Sequence, residues 1–229
     1  MIGAMNVGRH APGESLPRHR HARGYIALVL DGGYDEAGDQ GRLSAAAGTI
    51  VVHGDWTAHR DCFGARGAQV LNLPLPAGLA PGAGHIADPD AAARLAERDA
   101  VAAAAYVRAH FRPGAARRCD WPDLLADALT ADPDLALTLW ADRVGLDPAS
   151  VSRGFLRAYG VSPKRFRLEA RTRRAIAALA SWRGSLADLA ADQGFADQAH
   201  LARSVVALTG SPPIRLRAKS VQAAPSPSR

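Results

Sequence analysis

Gly194-Phe195-Ala196-Asp197-Gln198-Ala199-His200-Leu201-Ala202-Arg203 decides how this chain is read, because an earlier stretch answers it at a fixed distance. Asp147 recurs as Asp197, Arg153 as Arg203, Gly160 as Gly210 and Pro163 as Pro213, each 50 residues on. Gly145 answers to Gly194 and Leu137 to Leu186 at an offset of 49. A constant internal period marks a duplicated supersecondary unit. In the second copy Ser185 caps a helix whose apolar positions are Leu186, Leu189 and Ala190, and Asp188 stands where a carboxylate closes a capping box. Gly194 stops that helix and Phe195 fills the gap behind it. Asp197 then caps a second helix, Gln198 to Leu208, which turns Leu201, Val205 and Leu208 inward. In the first copy a helix over Leu135 to Val144 directs Leu137, Trp140 and Ala141 inward, and Gly145-Leu146 makes the turn. Asp147-Pro148 opens the second helix, with Val151, Phe155 and Tyr159 buried before Gly160.

Each copy therefore reads as helix, tight turn, helix. In that arrangement the second helix enters the DNA major groove. The residues left outward are Ala149, Ser150, Arg153 and Arg157 in the first copy. In the second they are Gln198, Ala199, His200 and Arg203. Small residues allow close approach to base edges, arginine grips guanine bidentately and glutamine does the same for adenine. We read these eight as DNA-binding, on readers spanning 148–159 and 198–209.

The run Asp147-Pro148-Ala149-Ser150-Val151-Ser152-Arg153-Gly154-Phe155 with Gly160-Val161-Ser162-Pro163 resembles the first half of an AraC/XylS-type DNA-binding domain. Ser185-Leu186-Ala187-Asp188-Leu189-Ala190, the quoted run, and Gly210-Ser211-Pro212-Pro213 resemble its second half. The resemblance covers roughly the last half of the chain. It implies a transcription regulator, not an enzyme, with double-stranded DNA as partner and with a small-molecule effector, a second copy of the chain and RNA polymerase as further partners. Departures from the family pattern are Leu201 and Val205 in place of aromatic residues, Val206 in place of a basic one, and Gly154, which is small where the family carries an apolar side chain.

Between the copies, Pro163 to Ser181 reads as one helix with Phe166, Ala170, Ile176 and Leu179 on its apolar side. It would act as the spacer between the readers. Its other side carries Lys164, Arg165, Arg167, Arg171, Arg173 and Arg174, with Glu169 the only acid. A charge run is usually a solvated face. The distribution of charge favours phosphate neutralisation, with Lys164, Arg171 and Arg173 as the backbone contacts. The net charge is +6, but residues 132–229 hold 15 Lys and Arg against 8 Asp and Glu, while residues 1–131 hold 13 against 14. The positive excess belongs to the duplicated half, the footprint expected of a nucleic-acid partner.

The 229 residues allow two domains. Cys62 and Cys119 form no framework, the N-terminus carries no signal pattern, and no apolar run approaches bilayer length, so a cytoplasmic protein without membrane contact is expected.

Residues 1–80 are rich in glycine and short β-type runs. Tyr25 to Leu30 reads as a buried strand, Asp31-Gly32-Gly33 as a turn, and Tyr34 as the start of the returning strand. Leu43, Gly48 to His53 and Gln69 to Leu75 belong to further strands. Together they predict a small antiparallel barrel. His19-Arg20-His21 places two imidazoles on one side of an extended segment, and His59 follows Gly48 at a spacing similar to the second box of cupin barrels. This half resembles the cupin-like sensing domain that precedes the duplicated reader in AraC-type regulators. The first cupin box expects a glutamate about where Tyr25 stands. We therefore expect no cofactor and no metal, with His19, His21, Tyr25, Trp56 and His59 lining an effector pocket. The alternative is a cupin-type metal-dependent enzyme with a helical appendage, its ligands His19, His21 and His59. His53 reads as a surface residue at a strand end.

Pro81 to Gly84 reads as a linker. Asp88-Pro89 caps a helix from Asp90 to about His110, with Leu95, Val101, Ala105 and Val107 apolar. It either packs on the barrel or pairs with a second copy of itself. Trp121 to Leu129 forms a short helix supporting the first reader, and Asp132-Pro133 breaks it. The expected organisation is α+β: a cupin-like antiparallel β-barrel for effector binding or dimerisation over 1–84, a linker helix over 85–119, an all-α double helix-turn-helix domain over 120–218, and a disordered tail over 219–229. Arg217 and Lys219 would add loose phosphate contacts.

Overall fold

Period-two alternation runs through the N-terminal half and builds an antiparallel sheet from it. The computed structural model describes residues 7–114, 118–132 and 134–217. The expected tail with Lys219, the proline of the Asp132-Pro133 break and part of the boundary near 115–120 lie outside the described residues. By its contacts the chain divides into one unit of Met1–Leu124 with Arg153–Val161 and another of Leu125–Ser152 with Ser162–Arg229.

In the first unit the strands are β1 (Val7–His10), β2 (Ser15–Arg20), β3 (Tyr25–Gly38), β4 (Gly41–Ala46), β5 (Thr49–His53), β6 (Ala58–Pro74), β7 (Gly82–His85) and β8 (Arg112–Pro113). Their order is β1-β6-β3-β5-β7-β8, with β2 also on β6 and β4 also on β3. Alternate residues separate onto two faces. Ile26, Leu28, Ile50, Val52, Leu71 and Leu73 point one way and meet Ala92, Ala96, Ala103, Ala104 and Val107 of two helices, α1 (Pro89–Ala96) and α2 (Ala100–His110). Their neighbours Ala27, Val29, Val51 and Val70 point the other way and pack with Tyr34, Leu43, Ala45 and Phe63. Each fully buried Leu or Ile contributes roughly 1.5–3 kcal/mol. Small alanines on the helices let the backbones approach the sheet.

Several expectations are corrected here. Asp31-Gly32-Gly33 is not a hairpin turn. β3 runs through it for 14 residues, with register shifts between Val29 and Asp31 and between Gly32 and Tyr34. Gly32 has φ +70°, and a Cβ there would lie 2.0 Å from the Gly67 carbonyl oxygen on β6. Only glycine fits this close crossing, so the strand bends and continues instead of reversing. Gln69 to Leu75 is the second half of the 17-residue β6. Pro81 to Gly84 is no linker, because β7 forms there and pairs with β5. The helix expected over 90–110 is two. Asp99 accepts from the amides of Val101 and Ala102, capping a new helix and ending the old one. Leu95, Val101 and Ala105 are exposed, whereas Ala92, Ala96, Ala103, Ala104 and Val107 carry the packing on the sheet.

The remaining helices are α3 (Trp121–Ala131), α4 (Leu137–Arg143), α5 (Pro148–Tyr159), α6 (Pro163–Leu179), α7 (Leu186–Asp192) and α8 (Gln198–Thr209). An antiparallel sheet followed by helices is the α+β organisation the sequence predicts. Among the described residues no helix is long and apolar enough to cross a membrane.

Candidate functional site

The second copy of the motif folds from its caps inward. The Ser185 hydroxyl accepts from the Asp188 amide and the Asp188 carboxylate accepts from the Ser185 amide, a complete capping box. Gly194 takes φ +72°, and Gly210 takes φ +70° at the end of α8. Asp197 accepts from the His200 amide at 2.6 Å. Ala175, Leu179, Leu189, Ala190, Phe195, Leu201 and Val205 form the core, with Phe195 between the two motif helices as expected. Because Leu201 and Val205 are both fully buried, their being aliphatic is a matter of core volume. Gln198, Ala199 and Arg203 are exposed, and His200 is half-buried with its ring edge-on to Phe195.

In the first copy the Asp147 carboxylate accepts from the Ser150 amide at 2.8 Å, and Gly145 takes φ +70°. Val151, Phe155 and Tyr159 are fully buried. Ala149, Ser150, Arg153 and Arg157 are exposed. Gly154 owes its size to Trp121: a Cβ there would lie 2.5 Å from the indole ring. The indole fills the space that the family pattern gives to a side chain at this position. Tyr159 donates to buried Asp123 at 2.7 Å, Arg42 reaches the same carboxylate twice at 3.0 Å and also pairs with Asp120, and Arg60 donates to the Arg157 carbonyl at 3.1 Å. Burial works against the Asp123 charge. The hydrogen bonds from Arg42 and Tyr159 outweigh it and hold the carboxyl below its ordinary range. Neither Trp121 nor Asp123 carries a motif signal in sequence.

The basic side of α6 is partly committed to the fold. Arg167 donates to the Leu135 carbonyl at 2.7 Å and Arg174 to the Thr130 carbonyl at 2.7 Å. Arg171 donates to the Gly194 carbonyl, lies 3.4 Å from Asp134 and sits over the Phe195 ring. A cation at the carbonyl end of α7 is favoured by the helix dipole. Arg173 is half-buried, whereas Lys164 and Arg165 are exposed.

On the inner face of the sheet a second group of polar residues converges. His19 pairs across strands with His59, Tyr25 with His53, and Glu36 with Asp61. His53, Glu36 and His59 are 2%, 3% and 5% exposed. The expected surface position of His53 is thus corrected: β5 ends against Tyr25, inside the sheet, and the two rings stack at 4.6 Å. His59 Nδ1 lies 3.0 Å from Asp61 Oδ1 and 3.5 Å from Glu36 Oε2, and its Nε2 lies 3.2 Å from the Tyr25 hydroxyl. Burial pushes Glu36 up to about 8. Burial, then the neighbouring imidazoles, hold His53 well below its ordinary value. Burial also opposes charge on His59, but the bond to Asp61 and the nearness of Glu36 raise it. His19 and His21 are half-buried at the rim, and Trp56, at φ +61°, donates its amide to the His21 carbonyl at 3.0 Å. An open cleft of about 560 Å³ beside them is lined by His21, Arg23, Tyr25, Asn72, Leu73 and Pro74. The structure therefore brings together His19, His21, Tyr25 and His59, and adds Glu36, His53 and Asp61, which sequence reasoning missed.

Residues 140–219 match the family model described as a helix-turn-helix domain. No curated protein matches the chain. Among solved structures the chain is similar to the C-terminal domain of AraT, a response regulator from Geobacillus stearothermophilus, at 19% identity over 43% of this chain and 84% of that one, TM-score 0.39. It is similar to an AraC-type transcriptional regulator from Chromobacterium violaceum at 22% identity over 44% and 91%, TM-score 0.40. It is also similar to ToxT from Vibrio cholerae with bound unsaturated fatty acid, at 9% identity over 97% of each chain, TM-score 0.45. With both copies of the motif folded and one family model spanning both second helices, residues 140–219 are a helix-turn-helix domain.

Proposed function

We propose that the chain is a sequence-specific transcription regulator that reads duplex DNA with α5 and α8 and takes a small-molecule effector at the sheet. One observation carries the reading: each second helix starts at an aspartate cap and exposes small or amide residues followed by an arginine six positions after the cap. Ala149, Ser150, Arg153 and Arg157 would meet one set of bases, and Gln198, Ala199, His200 and Arg203 another. Lys164 and Arg165, exposed on α6, are the stronger candidates for phosphate contact; Arg171 and Arg173 join them only with donors left over from the fold. His19, His21, Tyr25, Trp56 and His59 are the proposed effector residues, and of these His21 and Tyr25 line the open cleft. This role needs no turnover. A second copy of the chain would present a second pair of readers.

Selection of bound fragments from random DNA, followed by gel-shift titration, tests the assignment. Arg203→Ala should cost about 1–3 kcal/mol on the selected site and relax the choice at one base pair. Unchanged affinity and unchanged preference would remove Arg203 from the reading surface.

A further inference from the structure

The inner-face cluster holds more than a rim of histidines. Glu36 Oε2 lies 3.6 Å from His53 Nε2 and 3.5 Å from His59 Nδ1. The three donor atoms lie within 4.8 Å of one another, and all three residues are buried. Among the described residues neither Glu36 Oε2 nor His53 Nε2 has a hydrogen-bond partner. Orphaned buried acceptors are costly, at roughly 1–3 kcal/mol each, and ask for an explanation. The register sharpens the question, because Glu36 sits directly across from Asp61. Two carboxylates facing each other across strands repel, and here both are buried.

We infer that Glu36, His53 and His59 form a binding site for one divalent first-row transition metal ion, of which zinc is the natural probe. Bonds of about 2.0 Å in a tetrahedral shell put neighbouring donors about 3.3 Å apart, so the 3.5 and 3.6 Å separations to Glu36 Oε2 need only a small contraction, and the two imidazole nitrogens start within 4.8 Å of each other. Two imidazoles and a carboxylate suit zinc and its neighbours, whereas magnesium and calcium prefer oxygen alone. The doubly charged ion offsets the facing carboxylates and gives both orphaned atoms a partner. Tyr25 orients His59 from the far side, with its hydroxyl 3.2 Å from Nε2, as an outer partner of a metal-bound imidazole does. Asp61 lies 3.0 Å from the His59 donor nitrogen and supplies the remaining negative charge. His19, His21 and His59, the set expected from sequence, also converge. That set lies half-exposed at the rim, and its donors are engaged: His19 Nδ1 meets the Pro17 carbonyl at 3.0 Å and His21 Nε2 faces Tyr25. Two donors of the inner set, Glu36 Oε2 and His53 Nε2, are unshared, while His59 Nδ1 already faces Asp61. Three protein ligands leave the fourth tetrahedral position to water or another small donor, in a site buried within the sheet.

The inference is independent of DNA reading: a chain that failed every gel shift and still took up one ion would leave it intact. The test uses the full chain, stripped with chelator, and titrates zinc against a chromophoric competitor. One ion per chain is expected. Glu36→Gln and His53→Ala should each weaken uptake by more than about tenfold, the loss that even an outer partner's removal can cause, while His19→Ala and His21→Ala leave it within a few-fold. X-ray absorption at the zinc edge should show a mixed nitrogen and oxygen shell. No stoichiometric uptake by the wild type would overturn the inference. So would loss of uptake in His19→Ala with retention in Glu36→Gln. If His53→Ala fails to fold, the wild-type stoichiometry and Glu36→Gln, which keeps the side chain's shape, still decide.

Discussion

Asp123 shows how much can rest on one carboxylate. It is buried and takes hydrogen bonds from Arg42 and Tyr159. Asp123→Ala takes the acceptor from the buried Tyr159 hydroxyl and from Arg42, which keeps Asp120, and should lower urea-unfolding stability by about 1–3 kcal/mol. The pH dependence has a definite sign. A carboxyl held below its unfolded value stabilises fully above that value, about 3.9, and loses the contribution as pH falls through the folded one. Melting temperatures should be insensitive to this group between neutral pH and about 5, then fall in acid. In Asp123→Asn that part of the acid slope should be missing. Gly154 belongs to the same neighbourhood. Gly154→Leu drives a side chain into Trp121 and should cost roughly 1–3 kcal/mol, with a shift in tryptophan emission. From the motif alone Gly154 reads as a gap, because its explanation is a ring 33 positions earlier in the chain.

At the scale of elements, α6 separates two uses of arginine. Arg171→Ala should lower the melting temperature, since it frees the Gly194 carbonyl and uncovers the Phe195 ring. Lys164→Ala, exposed and outside the core, should leave the melting temperature unchanged while lowering the salt slope of DNA affinity by about 1. Equal melting temperatures for the two variants would remove the bracing role. Ser185→Ala should cost about 1 kcal/mol through the lost capping box. The helices were legible because their signals are local: Ser185 with Asp188, Asp197, and glycines at the turns. β3 was not. Tyr25, Ala27 and Val29 face inward on odd positions, but after the two bulges Tyr34 and Glu36 face inward on even ones. A reading that keeps one phase across Asp31 to Gly33, or breaks the strand there, loses Glu36. His53 was legible in principle, two residues beyond inward-facing Val51. What hid it was the place where the strand ends, which depends on a partner in β3.

At the scale of the whole molecule, charge is divided more sharply than structure. Residues 132–229 carry the positive excess, so DNA affinity should fall steeply with added salt, as counterion release requires. The division by contacts falls elsewhere. Arg153–Val161, the later part of the first reading helix, groups with the sheet unit, through Trp121 against Gly154 and Asp123 under Tyr159. Sequence repeats equate the two copies of the motif, yet among the described residues only the first has an anchor of this kind. Limited proteolysis should accordingly release a C-terminal fragment by cutting ahead of Trp121, with Asp123 still attached. A fragment trimmed past Asp123 would leave the Tyr159 hydroxyl without its acceptor and Gly154 facing a hole, so duplicated halves that look interchangeable on paper would not survive dissection equally.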